Sequence, residues 1–369
     1  MSVTANDTPG TANPAPAAAN DTPAARRLRG QARHEDTGRD PMTDWWHPVG
    51  WAADLKDAPQ RTVLLGRSLV LWRDADHVPH CLRDLCVHRG TALSLGEVHD
   101  GQITCPYHGW RFAGTGRCTS IPQLPADRPI PAGAEVPAFR CEERYGLLWV
   151  CLGEPQAAIP DFPEWGRPGF RHAACPPYQW RTSASRMVEN FTDFGHLGWL
   201  HDGLLGSRDD VVVPEHTVEQ TGHELRYGIT MNVPAADGIN DLSGSTGTLA
   251  NSYVLSLPHV IHLRSHYPES GHSRVLFFAA QPVDDRTSIG YCYQSRDFDL
   301  DGDDRRYVEF QEILAEQDRI VVESQRPEEL PADLADELHL RFDRVAVAYR
   351  RALAQYHLVT GAPVRAAGE

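Results

Sequence analysis

The chain lacks any run of about 18 consecutive apolar residues, so nothing in it should span a bilayer. Excess positive charge is missing too. Its 369 residues carry 35 Lys and Arg against 50 Asp and Glu, a formal net charge of −15. A phosphate backbone or an anionic membrane surface needs a basic patch, so nucleic acid and membrane are excluded as expected partners. No GxGxxG or P-loop spacing occurs, which leaves no evident nucleotide site. Arg26-Arg27 could open a twin-arginine export signal, but the residues that follow, Leu28 to Arg33, form no apolar region. Without such a signal the expected compartment is the cytoplasm, and the eight cysteines at 81, 86, 105, 118, 141, 151, 175 and 292 are expected as thiols rather than disulfides.

What is present is an ordinary globular composition, 41% hydrophobic and 23% charged, long enough for two domains. The first 40 or so residues are mostly Ala, Pro, Thr, Asn, Asp and Gly. They can bury too little to offset their ordering entropy, and residues 1–43 are expected as a disordered tail. From 44 to 158 short apolar runs alternate with Gly- and Asp-containing turns, the pattern of a small antiparallel β domain. A proline-rich stretch from Ile159 to Pro168 reads as a linker. The region 159–360 then combines one early helical segment, Ala184–Trp199, with several strands between 224 and 295. Two late helices follow, near Asp304–Gln325 and Leu334–Gln355, and residues 361–369 remain as a C-terminal tail. An antiparallel sheet with segregated helices is an α+β arrangement.

Cys86-Val87-His88 is followed, after sixteen residues, by Cys105-Pro106-Tyr107-His108. Each Cys/His pair lies in a loop between short strands, so both can approach one metal cluster from the same side. Two thiolates on one iron and two neutral imidazoles on the other give a [2Fe–2S] cluster a much higher potential than four thiolates do. The competing reading is structural zinc on the same four residues. Zinc loops normally separate their first two ligands by two to four residues, and Cys-x-His is uncommon among them.

A second constellation is Asn190-x-x-Asp193-x-x-His196-x4-His201. Two histidines five residues apart stand about 140° apart on a straight helix, too far to share a metal. Gly195 and Gly198 offer places for the helix to end or bend. The late helix supplies a carboxylate: Asp318 falls on the apolar stripe of Tyr307, Phe310, Leu314, Val321 and Val322, opposite Glu312, Glu316 and Glu323. A carboxylate facing a core is costly unless it is paired with an arginine or bound to a metal.

The two Cys/His boxes resemble those of Rieske proteins, and Cys105–Phe112 resembles the Rieske domain of ring-hydroxylating oxygenases. Val87 stands where many relatives carry proline, and the extra disulfide cysteine of respiratory Rieske proteins is absent after His88. Asn190, Asp193, His196, His201 and the late Asp318 are similar in order to the catalytic domain of Rieske non-haem iron oxygenases. Over roughly residues 44–355 this resemblance implies a helix-grip catalytic domain, with His196, His201 and Asp318 as mononuclear iron ligands. It implies Asp193 as the bridge from His108 of a neighbouring subunit to His196, and Asn190 as a lining residue. It further implies a homotrimer, with O₂ and a small organic substrate as reactants. Electrons would come from NAD(P)H through a separate reductase, with or without a ferredoxin. The tight Asn-to-Asp spacing resembles the monooxygenase and O-demethylase branch more than the cis-dihydroxylating dioxygenases. A Rieske electron carrier with a non-catalytic ligand-binding domain, and a zinc-stapled binding module, are the readings from other classes. The segment Tyr253–His266 is expected to form a pocket wall. Its His259 and His262 are open between substrate contact and internally satisfied polar groups.

Overall fold

The structure is a computed structural model that describes residues 40–232 and 247–359. The expected tail 1–43 lies outside the described residues as far as 39, as does the expected C-terminal tail 361–369. Residues 41–43, however, are not tail. Pro41–Asp44 is a 3-10 turn capped by the Asp40 carboxylate on the Met42 N–H, with Met42 and Thr43 buried. Met42 has apolar surface to bury, which the preceding residues lack.

The chain divides into two compact units, ending and beginning at Ile159 and Pro160. In the first unit, β1 (His47–Trp51), β2 (Gln60–Leu64), β3 (Arg67–Arg73) and β4 (Pro79–Arg83) are followed by β5 (Glu97–His99), β6 (Gln102–Thr104), β7 (Arg111–Phe112) and β8 (Cys118–Ser120). The unit closes with β9 (Ala138–Arg144) and β10 (Leu147–Cys151). They form a six-stranded sheet, β1-β10-β9-β4-β3-β2, and a four-stranded sheet, β5-β6-β7-β8, in which all pairs are antiparallel. Val70, Trp72, Leu82, Leu93, Ile103 and Phe112, each fully buried, join the two sheets in one core that also encloses Cys86 and Cys105. The loops β4–β5 and β6–β7 carry the two Cys/His boxes.

The second unit holds β11 (Arg171–Ala174), β12 (Tyr178–Trp180), helix α1 (Ala184–Glu189) and helix α2 (Leu197–Leu200). Then come β13 (Val218–Thr221), β14 (Glu224–Asn232), β15 (Thr248–Ser256), β16 (Val260–His266), β17 (Ser273–Asp284) and β18 (Thr287–Arg296), followed by α3 (Arg305–Val322) and α4 (Arg344–Gln355). Its eight-stranded antiparallel sheet runs β11-β18-β17-β16-β15-β14-β13, with β12 also paired to β18. The sheet alternates where one face is wet: in β14, Leu225, Tyr227 and Ile229 point inward while Arg226 and Thr230 are exposed. In β17 ten consecutive residues are buried, so both faces are covered. Helix α3 buries Tyr307, Phe310, Gln311, Leu314, Ala315, Asp318 and Val322. This is an α+β protein.

Two helical expectations are corrected. Ala184–Trp199 is not one helix. It breaks at Asp193, whose backbone is extended (φ −99°, ψ 120°), before resuming as α2. Leu334–Gln355 is two 3-10 turns before α4, because Glu337 leaves the helical path to meet Arg186 and Arg350, at 2.7 and 2.6 Å. The α3 stripe also differs at its end. Val321 is exposed, and the Glu323 side chain is covered by Arg181 and Arg319.

Candidate metal centres

The first centre rests on two turns built alike. The Gly90 N–H donates to the Cys86 carbonyl (2.9 Å) and the Gly109 N–H to the Cys105 carbonyl (3.0 Å). Each glycine takes a left-handed φ, +72° and +71°, which closes its loop at little steric cost. The result is two buried thiols side by side, each 2% exposed, with the His88 and His108 rings 4.5 Å apart. Both Nδ1 atoms are buried and meet no hydrogen-bond partner. Unpaired buried nitrogens cost about 1–3 kcal/mol each, so the arrangement fits a metal cluster that accepts their lone pairs. Burial, then the neighbouring His108 and Arg89, lowers the His88 pKa, favouring the neutral imidazole that a ligand requires. Burial also pushes the Cys86 thiol up to about 11, so taking up a metal must displace its proton. Trp110 stacks on His88 (4.5 Å, 5° between planes), and Gln123 donates to the His108 carbonyl. Sequence reasoning gave neither a role, although Trp110 lies within the Cys105–Phe112 box; Gln123 lies outside it.

At the second centre, the break at Asp193 takes the chain out of the helix before either histidine is reached. His196 then precedes the single turn of α2 and His201 follows it, with the Leu200 N–H bonded to the His196 carbonyl at 2.7 Å. The expected bend at Gly195 and Gly198 is therefore misplaced. Gly195 instead donates its N–H to Asp193 Oδ1 (2.7 Å), and Gly198 lets the 203–210 loop approach: a Cβ on Gly198 would lie 3.0 Å from the Ser207 carbonyl oxygen.

His196 Nδ1 lies 3.2 Å from Asp193 Oδ2, and His201 Nδ1 lies 2.7 Å from Gln317 Oε1. Each histidine thus has its Nδ1 occupied and its Nε2 turned inward. The two Nε2 atoms lie 3.7 and 3.0 Å from Asp318 Oδ1, which is buried and accepts no hydrogen bond. The three ligand atoms fall within 4.8 Å of one another, and among the described residues this is the group that could hold a single metal ion. Lone pairs converging without a donor between them, with outer nitrogens fixed by acceptors, are what a metal site requires. Burial raises the Asp193 pKa, but His196 and the Gly195 N–H outweigh it and hold the group below its ordinary value, as a carboxylate. Burial lowers His201, yet Asp318 and Gln317 outweigh it in the other direction.

These residues line a partly enclosed cavity. Asn190 and Asp193 line it too, and Phe191, Leu205, Met231, Leu249, Leu276 and Leu314 give it apolar walls. Tyr253, Leu263 and Ser265 reach it from the expected β15–β16 wall. His259 and His262 do not: they bond to Ser185 (3.0 Å) and Glu164 (2.8 Å). Sequence reasoning missed Gln317, one residue before Asp318, and Arg274, whose strand carries no motif.

Comparison with known proteins agrees with this construction. Residues 45–140 match the Rieske [2Fe–2S] domain model, and residues 180–358 match the vanillate O-demethylase oxygenase C-terminal domain model. The chain is 33% identical to methylxanthine N1-demethylase NdmA of Pseudomonas putida over 85% of its own length and 88% of that protein. It is 29% identical to the oxygenase component of 3-ketosteroid-9-alpha-monooxygenase of Rhodococcus rhodochrous, over 67% and 70%. The solved structure of P. putida CBB5 NdmA with caffeine superposes with a TM-score of 0.77 at 30% identity, covering 90% of this chain and 99% of that one.

The fold and its two metal-ready centres define an iron-dependent oxidoreductase. The chain belongs to the Rieske non-haem iron oxygenases, on their monooxygenase and demethylase branch. It is the oxygenase component of such a system, using a Rieske cluster, a mononuclear iron, O₂ and NAD(P)H-derived electrons from a separate reductase to hydroxylate or demethylate an aromatic or other apolar small molecule.

Proposed function

We propose that Cys86, His88, Cys105 and His108 hold the cluster, that His196, His201 and Asp318 hold the iron, and that the enzyme removes a methyl group from a small aromatic compound. The convergence of two Nε2 atoms and one Oδ1, with no donor among them, carries this reading. When bound, the cluster delivers single electrons and the iron activates O₂. His196, His201 and Asp318 would hold the iron as a two-histidine, one-carboxylate set beside the cavity they line. Asp193 and Gln317 fix the histidine rings through their Nδ1 atoms, and the apolar walls exclude water from the reacting carbon. Asn190 lines the site beside the iron. The N1-demethylase activity of the relative NdmA, and the tight Asn190–Asp193 spacing, favour demethylation over dihydroxylation.

The proposal extends to functional domains at 44–158 and 159–360, a cytoplasmic location and a homotrimer. In that trimer each cluster serves the neighbour's iron through Asp193, and a ferredoxin can stand between reductase and cluster. Among the described residues no helix is long and apolar enough to cross a membrane.

Two variants test the site together. His196→Ala is expected to keep the Rieske spectrum while losing mononuclear iron and substrate-dependent formaldehyde release. Asp193→Ala is expected to retain both metals but oxidise its reduced cluster at least about 100-fold more slowly in a single turnover. Retained turnover in the first, or fast cluster oxidation in the second, refutes the corresponding assignment.

A further inference from the structure

Among the described residues that line the cavity is one guanidinium, which the chemistry at the iron does not use. Arg274, at the start of β17, is 8% exposed and lines the cavity that His196, His201 and Asp318 share. Its Nη1 is buried without a hydrogen-bond partner, and no carboxylate among the described residues pairs with it. Its guanidinium lies over the Phe310 ring, 5.3 Å from the centroid, which offers attraction but no anion.

The contrast with its cross-strand partner is informative. Arg274 pairs in register with Arg296, which is also buried but neutralised by Asp304 at 2.9 Å, a carboxylate that Arg171 also holds at 2.7 Å. Like charges directly opposite one another destabilise a sheet, and a guanidinium cannot shed its proton to escape the cost. One of the two positions has its counter-charge built in; the other lines the cavity with no counter-charge among the described residues.

Ser265, Asn251, Gln294 and Gln311, which line the same cavity, are neutral. Ser265 donates to Asn251 (2.7 Å), and Gln294 donates to Gln311 (2.7 Å). Asp193 and Asp318 belong to the cavity too, but they are engaged with His196 and His201. The chain as a whole carries −15, so any attraction for an anion has to be local.

We propose that Arg274 is a specificity-determining residue that receives the carboxylate of an aromatic acid, so that the enzyme acts on anionic substrates in preference to neutral ones. The inference deepens the oxygenase reading above, on which it rests. A planar guanidinium fork matches a carboxylate with two parallel hydrogen bonds, and an apolar, partly closed cavity strengthens both. The acid's ring would then fill the apolar walls, with its far side toward His196, His201 and Asp318.

The test uses calorimetric titration of the holoenzyme, kept anaerobic, with matched acid and amide pairs: 3-methoxybenzoate and 3-methoxybenzamide, 4-methoxybenzoate and its amide, and 3-methoxycinnamate and its amide. At least one acid is expected to bind about 10-fold or more tightly than its amide. Arg274→Gln should weaken that acid by about 10- to 100-fold while changing its amide less than about 3-fold, and Arg274→Lys should restore part of the loss. Equal affinity for acid and amide in every pair, binding by no acid, or equal loss of both ligands in Arg274→Gln overturns the proposal. Formaldehyde release under O₂ and NADH, with a reductase supplied, is read separately. An acid preference that depends on Arg274 without turnover would leave the charge-reading role standing and count against the oxygenase chemistry alone.

Discussion

At the scale of single residues, the spacing of Cys86, His88, Cys105 and His108, a carboxylate at Asp318 on an apolar stripe, and the family resemblance for His196 and His201 supplied the candidate ligands. The structure brings the ligand atoms of His196, His201 and Asp318 within 4.8 Å of one another. Gln317 and Arg274 were not among the candidates. A glutamine beside a ligand and an arginine in a strand have no distinguishing sequence context, and only the packing of α3 against β17 and β18 gives them work. His47 shows what burial does away from the metals. It is fully buried, its Nε2 lies 2.9 Å from the Met42 carbonyl, and burial lowers its pKa from 6.5 to about 4 despite that hydrogen bond. Between those values the unfolded chain takes up a proton that the folded chain refuses. The stabilising effect is therefore complete above about pH 6.5 and shrinks as pH falls toward 4, by on the order of 3 kcal/mol. Urea unfolding of the wild type from pH 7.5 to 5 should show this loss. In His47→Asn the slope over that range should flatten, and an unchanged slope would mean that His47 is not the group responsible.

At the scale of elements, the strands expected between 224 and 295 are there as β14 to β18, because alternation and turns mark them. Helices next to function were misread. Ala184–Trp199 has a helical texture, but an extended Asp193 interrupts it, and the carboxylate there accepts the Gly195 N–H and approaches His196. Local propensity gave way to the needs of the site. A buried charge network ties α1, the helix before this break, to α4. Arg350 on α4 is 5% exposed and binds both oxygens of Glu189 at the end of α1, at 2.5 and 2.9 Å, while Arg186 and Arg350 share Glu337. Removing one partner from a buried network leaves charge uncompensated, typically about 3–5 kcal/mol. Arg350→Met is accordingly expected to lower the unfolding midpoint of the second unit by about 5 °C or more, followed by far-UV circular dichroism. Because Glu189 adjoins Asn190, some loss of bound mononuclear iron should accompany it. A midpoint within about 1 °C of wild type would show that the network contributes little.

At the scale of the whole molecule, a sequence can show two metal centres but not which of them work together, since that depends on how chains assemble. Asp193 bears on this. One carboxylate oxygen is turned to His196 while the side chain as a whole remains 39% exposed, so the residue faces outward as well as inward. In the proposed trimer the working unit is then a pair of half-sites from two chains, and the consequence is statistical. Take one variant without a cluster (Cys86→Ser) and one without mononuclear iron (His196→Ala), each inactive alone. If equal amounts assemble at random, an iron survives in half of the subunits, and half of those sit beside an intact cluster. About a quarter of the wild-type activity should reappear on mixing and reassembly, from two populations that have none. If each cluster served its own chain's iron, no subunit in the mixture would own both centres, and the mixture would stay as inactive as its components.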